Sequence, residues 1–279
     1  MRTSPFLLAG FFIFCILISL SVFEPLINNY ILQGHKSTDL AVYARFLPIS
    51  LEHLLGTDWF GRDIFALLLT GLKNALVVGV LAGCTSTIIA VVVATMAGYS
   101  GGKVDAILNS ITNAVLVTPS LPILVAISLY VHLDLLTEAF ILAIFSWPWA
   151  ARDIRSQILS FRSRAYVELA QITSTNKFKI MFTEILPNLF PTIGIGLSGA
   201  IVGSILAETG LRILGLGPAG IITLGLLLKD GLDTGILSGL PQLTYAPTLM
   251  LILIFVSLNF MIIGAETIFN PRLKKITGL

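Results

Sequence analysis

Very few residues in this sequence have side chains that could carry out catalysis or bind a metal. The three histidines, His35, His53 and His132, are scattered and do not form the H-E-x-x-H pattern of a membrane metalloprotease. The glycine-rich stretch 215–220 lacks the lysine of a phosphate-binding loop, and no GxxxxGK(S/T) sequence occurs. We therefore predict a chain that is not an enzyme and that itself binds no metal, cofactor or ATP.

Two glutamates are candidates for a proton pathway. Glu208 and Glu266 lie near the ends of the last two apolar segments, and ionisable groups at membrane depth are functional candidates. A self-sufficient proton-coupled carrier could use either of them, although an end position lets the carboxylate reach water. Such a carrier would show inverted repeats and broken helices with ionisable groups near mid-membrane, and neither is clear in the sequence. An intramembrane enzyme would need a nucleophile or metal cluster, which the sequence lacks.

The composition indicates an integral membrane protein. Hydrophobic residues make up 56% of the 279 residues, charged residues 11%, and the mean hydropathy is +0.94. A soluble domain carries roughly a quarter charged residues, so this chain cannot build a water-facing shell. The net charge of +2 is too small to indicate nucleic acid, which leaves membrane lipid as the expected surroundings.

Apolar segments predict an all-α, polytopic membrane protein with six transmembrane helices. Crossings are expected at 6–23, 74–102, 106–131, 135–151, 189–207 and 246–265. Pro119 and Pro122 interrupt the third, and proline kinks a membrane helix. The glycine-rich segment 213–228 is too short to cross and is interpreted as an external or re-entrant element.

This count divides the chain into two parts and places both termini on one side. Residues 1–73 form an N-terminal transmembrane helix with an external segment, and residues 74–279 form a core of five helices with a cytoplasmic loop at 152–188. The predicted inner side holds 11 of the 17 basic residues, namely Arg2, Lys103, Arg152, Arg155, Arg162, Arg164, Lys177, Lys179, Arg272, Lys274 and Lys275. Because basic residues prefer the cytoplasmic side, both termini are predicted to be cytoplasmic in a multi-pass cell-membrane protein.

The external segment contains a compact turn before the second crossing. Gly56 and Gly61 bracket it, and Asp58, Arg62 and Asp63 are placed to pair with one another. Asp63 favours the positive end of the helix that follows.

The polar loop between the fourth and fifth crossings predicts two short helices at an angle. Ser163 is a plausible N-cap for the first. Spacing places Tyr166, Leu169, Ala170 and Thr173 on one face of that helix. Residues 174–176 provide a break, and the second helix, 177–186, places Phe178, Met181, Phe182 and Ile185 on one stripe.

This loop has two interpretations. An amphipathic helix could lie on the lipid surface, held by Lys177 and Lys179. Glu168 and Gln171 lie on the alternative face and gain nothing from acidic lipid, which favours a protein partner.

The loop resembles a known motif. Tyr166-Val167-Glu168-Leu169-Ala170, followed by a break and then Ile185-Leu186-Pro187-Asn188, is similar to the EAA loop of ATP-binding-cassette importer permeases. Three further stretches, 55–63 (LGTDWFGRD), 207–217 (AETGL leading to LGLG) and 270–273 (NPRL), resemble the second permease of the oligopeptide, dipeptide and nickel importer family. Two positions differ from the usual motif, with Leu169 in place of alanine and Ser174 in place of the loop glycine.

The resemblance implies a function and a set of partners. The chain would be a permease subunit that pairs with a homologous permease, two cytoplasmic ATPase subunits that bind ATP and Mg, and an external solute-binding protein. The ATPase-docking residues that the motif implies are Tyr166, Val167, Glu168, Leu169, Ala170, Thr173, Ser174, Leu186 and Pro187. Peptide is the leading substrate, and oligosaccharide or nickel are the alternatives within the family.

Overall fold

A computed structural model of the chain describes residues 4–131, 133–173, 176–235 and 238–269. Within these ranges the chain is helical, and the only β-type pairing is an isolated bridge between Thr57 and Asp63. The all-α prediction is confirmed. His132, Ser174 and the 270–273 motif lie outside the described residues.

Ten α-helices are present in the described ranges, and two of them continue into a π-turn. They are α1 (Pro5–Ile31), α2 (Ile64–Ser100), α3 (Gly102–Val117), α4 (Ser120–Tyr130), α5 (Leu135–Arg162), α6 (Ala165–Ile172), α7 (Lys177–Ile180) with the π-turn Met181–Ile185, α8 (Leu186–Ile213), α9 (Leu224–Asp230) with the π-turn Gly231–Gly235, and α10 (Gln242–Phe269).

Four of these helical segments are long and apolar enough to cross a membrane. They are α1, α2, the continuous helix Met181–Ile213 and α10. The pair α3 and α4 counts as a fifth if it forms one broken span, because the two helices meet at an angle of 80°. The break follows Val117, where Pro119 lacks the N–H needed to continue the helix. A sixth crossing by α5 stays a prediction, since Glu138 near its start and Arg152 and Asp153 near its end shorten its apolar part.

Two helices extend beyond the predicted crossings. Helix α1 continues past Phe23 to Ile31, and α2 begins at Ile64 rather than at residue 74. The charges that suggested loop structure are paired inside the helices. Glu24 accepts hydrogen bonds from Asn28 at 2.7 Å and Thr70 at 2.9 Å, and its other oxygen lies 3.0 Å from Lys73 Nζ.

Helix α2 lies at the centre of the bundle because small residues let other helices approach it closely. A Cβ atom at Gly83 would lie 2.5 Å from Ile201 Cγ1 of α8, and one at Gly98 would lie 2.8 Å from Ile158 Cγ2 of α5. Such close approach at small residues is typical of helix packing in membrane proteins. Buried side chains of α2 thus belong to all three large apolar clusters of the core.

The bundle has two polar ends. One end, which we call the loop end, carries residues 32–63, 214–235 and 238–241. There Asn74 of α2 donates a hydrogen bond of 2.7 Å to the Ile222 carbonyl. The other, which we call the α6 end, carries the α2–α3 turn, the end of α5, α6 and α7. The segment 213–228 does not cross the bundle, because α8 ends at Ile213 and α9 has only seven residues.

The turn at the loop end forms around two buried aspartates. Gly56 and Gly61 have φ of +76° and +74°, which glycine adopts without strain. Asp58 pairs with Arg62 at 2.7 Å, as predicted, whereas Asp63 pairs with His53 at 2.8 Å and not with Arg62. Asp63 also caps α2 by accepting a hydrogen bond from the backbone N–H of Ala66, so its predicted place at the helix start is confirmed.

Candidate functional site

Helix α6 is a short, separate helix at the α6 end, as the sequence predicts. Two residues separate it from the end of α5 at Arg162, and it extends from Ala165 to Ile172. The predicted N-cap role of Ser163 is wrong. Ser163 is the C-cap of α5, and its hydroxyl donates a hydrogen bond to the Ser160 carbonyl at 3.1 Å.

One side of α6 is buried against the bundle. Val167 is 0% exposed and belongs to the cluster that includes Ile158 of α5 and Ile180, Met181 and Ile185 of the following helix. Ala170 is half-buried against the same cluster. An eight-residue helix is too short to be stable alone in water, so this packing holds α6 in place.

The other side of α6 faces outward and carries three exposed apolar or aromatic side chains. Tyr166 is 40% exposed, Leu169 64% and Ile172 78%. Glu168 and Thr173 are also exposed, and the Thr173 hydroxyl lies 3.0 Å from the Ala170 carbonyl. An apolar face at a polar end of the molecule is typical of a surface that a partner covers.

The docking residues implied by the motif therefore divide by position. Tyr166, Glu168, Leu169 and Thr173 are on the exposed side, whereas Val167 is interior and can only support the helix.

The second predicted loop helix is not a separate element. The chain from Lys177 runs through α7 and the π-turn directly into α8, so Leu186 and Pro187 lie inside one continuous helix. Pro187 is the second residue of α8 and has no N–H to donate to the preceding turn. The π-turn lies directly before it, so the hydrogen-bonding pattern of the helix changes at the place where this donor is missing. Along the predicted stripe Met181 and Ile185 are buried, whereas Phe182 is 60% exposed.

A charge pair ties α3 to α5 beside α6. Arg155 donates to both carboxylate oxygens of Asp105 at 2.6 Å, and Arg152 donates to the Asn113 side chain at 2.8 Å. Two-point pairing of an arginine with a carboxylate fixes orientation as well as distance. Sequence reasoning did not predict this pair. The only signal in the sequence was that Asp105 and Arg155 carry opposite charges and both lie in predicted inner segments.

A second charge cluster lies inside the bundle near the loop end. Arg212 Nε of α8 donates to Glu208 Oε1 at 3.0 Å, and Arg212 Nη2 lies 3.5 Å from Glu138 Oε2 of α5. Sequence reasoning named Glu208 and Glu266 as candidates for a proton pathway and did not connect Glu138 or Arg212 with them. The structure joins these two residues to Glu208, because α8 extends to Ile213 and α5 turns Glu138 toward it. Glu266, by contrast, is exposed near the end of α10.

A cleft lies between α4, α5 and α8. It has a volume of about 420 Å³ and is lined on the α8 side by Gly196, Gly199 and Gly203. A Cβ atom at Gly199 or Gly203 would meet no other atom within 4 Å, so these glycines leave one face of α8 uncovered. Ser120, Ser146 and Asp153 provide polar groups to the lining.

The part of the chain that the structure describes contains no metal-binding cluster. No three His, Cys, Asp or Glu side chains come together there in a way that could hold an ion.

Comparison with known proteins identifies the family. Residues 90–275 match the family described as "Binding-protein-dependent transport system inner membrane component". The dipeptide transport system permease protein DppC of Bacillus subtilis is 28% identical over 276 residues, which cover 99% of this chain and 84% of the relative. The oligopeptide transport system permease protein OppC of Lactococcus lactis subsp. cremoris is 31% identical over 82% of this chain and 79% of the relative. The protein of the same name from Bacillus subtilis is 26% identical over 98% of this chain and 88% of the relative. This chain therefore belongs to the family of inner-membrane components of binding-protein-dependent transport systems.

Proposed function

We propose that this chain is the membrane permease subunit of an ATP-driven peptide importer. The family match and the names of the relatives support this assignment. The single observation that carries the mechanism is the geometry of α6, a short helix with Val167 buried beneath it and Leu169 and Ile172 presented outward.

In this proposal α6 is the contact with a cytoplasmic ATPase subunit. Leu169 and Ile172 would be buried in a groove of that subunit, with Tyr166 beside them and Glu168 at the polar rim. ATP and Mg would be bound by the ATPase pair. A ligand shifts a conformational equilibrium only by its differential binding to the two states, so α6 must be firmly seated to pass force to the bundle.

The attachment of α6 supports a route for that force. The helix follows directly from α5, and the Asp105–Arg155 pair ties α5 to α3. A displacement of α6 would therefore move α5 together with the bent α3–α4 pair, which lines one side of the cleft. We place the translocation path and the homologous permease subunit at this cleft.

The orientation follows from the same assignment. If α6 meets a cytoplasmic ATPase, the α6 end is cytoplasmic, and the start of α1 lies on that side because α1 ends next to the segment 32–63. The loop end then faces the external solute-binding protein. Six crossings with both termini inside would satisfy this arrangement, with α5 as the sixth spanning helix.

The substrate class rests on the relatives alone. Their names specify dipeptides and oligopeptides, which favours peptide over the oligosaccharide and nickel alternatives. A co-purified ligand of the external binding protein tests this directly, and a sugar or a nickel ion there would contradict it.

The test of the docking proposal is Leu169→Arg in the reconstituted complex. We expect ATP-dependent uptake and transport-coupled ATP hydrolysis to fall at least about tenfold, because an arginine in an apolar groove carries a large desolvation cost. Binding of solute to the external protein should be unchanged. Leu40→Arg is a matched control, since Leu40 is 63% exposed but lies in the loop-end segment.

Two results would contradict the proposal. One is normal coupled ATP hydrolysis in Leu169→Arg with the ATPase still bound. The other is uptake by the chain with no ATPase present, which would instead indicate the proton-coupled carrier.

A further inference from the structure

Three charged side chains meet inside the bundle with almost no contact with solvent. Glu138 and Glu208 have side chains that are 1% exposed, and that of Arg212 is 3% exposed. They come from two helices, α5 and α8, and lie between apolar layers that include Val78, Leu142 and Leu211.

The charges of this cluster do not balance. Two carboxylates and one guanidinium leave a net charge of −1 if all three are ionised. A buried charge that is not paired is strongly disfavoured, because neither water nor an opposite charge offsets its lost solvation.

The described part of the surroundings provides no further cation. Helix α4 and the chain after it approach Glu138 with Leu124, Ile127, Ser128 and Leu133, and α5 itself adds Ile141 and Leu142. The cavity beside the carboxyl has a volume of only about 10 Å³, at the lower limit for one water molecule. Among the described residues, Arg212 and Glu208 are the charged groups that act on Glu138.

We propose that the Glu138–Arg212–Glu208 cluster is a proton-binding site that holds one proton per chain on the Glu138 carboxyl. With that proton the cluster is neutral, as a site closed to water requires.

The geometry assigns the proton to Glu138 rather than to Glu208. Arg212 Nε donates to Glu208 at 3.0 Å, and Nη1 donates to the Pro218 carbonyl at 2.8 Å. The Thr223 hydroxyl also lies near the Glu208 carboxylate. Glu138 lies 3.5 Å from Nη2, and neither of its oxygens has a hydrogen-bond partner among the described residues. Glu208 is therefore the better-stabilised carboxylate.

A bound proton has a structural consequence here. Arg212 holds the loop after α8 through Pro218, and a Cβ atom at Gly217 would lie 2.9 Å from the guanidinium. The neutral cluster can thus stay dry while it joins α5, α8 and this loop. This is a held proton and not a relay, because the site stays closed unless α5 and α8 separate.

Infrared difference spectroscopy tests the proposal on the full-length chain, purified with its partner subunits in lipid at neutral pH. A protonated carboxyl has a C=O stretch that is resolved from carboxylate bands. Glu138→Gln should remove one such band, equivalent to about one group per chain. Glu208→Gln should remove it as well, since Glu138 would then ionise to pair with Arg212.

Two further variants complete the test. Arg212→Gln should add a second protonated carboxyl, because no cation remains for either glutamate. The control Glu168→Gln, at an exposed position on α6, should change carboxylate bands only.

Thermal stability locates the proton. Glu138→Gln resembles the protonated state and should keep the melting temperature within about 2 °C, while Glu208→Gln should lower it by more than that. The reverse order would move the proton to Glu208 and overturn the assignment. If Glu138→Gln loses only carboxylate bands and the C=O band of the protonated carboxyl does not change, Glu138 is ionised in the wild type and the proposed proton-binding site is refuted. If one variant fails to assemble, the other still decides, because both must lose the band.

Discussion

Val167 offers a direct measure of how strongly α6 is held to the bundle. Val167→Ala removes two carbon atoms from a side chain that is 0% exposed. At about 0.8 kcal/mol for each buried CH₂ the transfer loss is about 1.6 kcal/mol, and the cavity left behind raises the total to about 2 kcal/mol. Since every 1.4 kcal/mol is a tenfold change, α6 should leave its seat about 30 times more often.

Hydrogen exchange of the α6 backbone amides, read by mass spectrometry, measures that opening. In Val167→Ala we expect exchange over Ala165–Ile172 to be about 30-fold faster, with α2 and α10 unchanged. Coupled ATP hydrolysis should fall at the same time, although Val167 itself cannot contact a partner. Val117→Ala is the matched control, because Val117 is 84% exposed.

The reasoning is refuted if α6 exchange in Val167→Ala stays within twofold of wild type. That result would mean that the packing beneath α6 does not determine its position. Faster exchange with fully normal coupling would refute the second step, in which a firm seat is needed to transmit force.

Two further predictions concern packing and pH. Gly83→Ala should destabilise the detergent-solubilised chain by about 1–3 kcal/mol, because the new Cβ would meet Ile201 at 2.5 Å. The control Gly199→Ala has open space around the new Cβ and should leave the melting temperature unchanged or higher. Burial raises the pKa of Asp230 in α9 despite the opposing effect of Arg62, so this residue contributes stability at low pH that is lost as pH rises through its folded-state pKa. Asp230→Asn should therefore melt higher than wild type at pH 7, with the difference vanishing near about pH 3, and equal melting temperatures at pH 7 would contradict the shift.

Sequence patterns predicted the elements whose signals are local. The short helix α6 follows from the spacing of Tyr166, Leu169 and Thr173, and the broken third crossing follows from Pro119. The buried position of Val167 did not follow from the same pattern. Val167 is adjacent in sequence to Tyr166 of the predicted face. Which side of α6 faces inward depends on the direction in which the chain leaves α5, and the local pattern does not contain that information.

Long-range pairing could not be read from the sequence. The spacing of Glu208 and Arg212 is visible as a helical i, i+4 pair, but Glu138 joins them from a different helix. The predicted crossings end at residue 23 and begin at residue 74 for the same reason, because the charges of Glu24 and Lys73 alone indicate that residues 24–31 and 64–73 lie outside the crossings. Their charges are paired across two helices, which makes a helical continuation stable where each segment alone suggests solvent exposure.

The uninterrupted length of α5 connects two features that are otherwise far apart. Its 28 residues span about 42 Å at 1.5 Å per residue, from the turn that bears Glu138 to the residues that precede α6. A tilt of about 5° around the middle of such a rod moves each tip by about 2 Å in opposite directions. A movement of that size at one tip would be enough to part Glu138 from Arg212 at the other, so a push delivered at the α6 end could admit water to a closed pocket near the loop end.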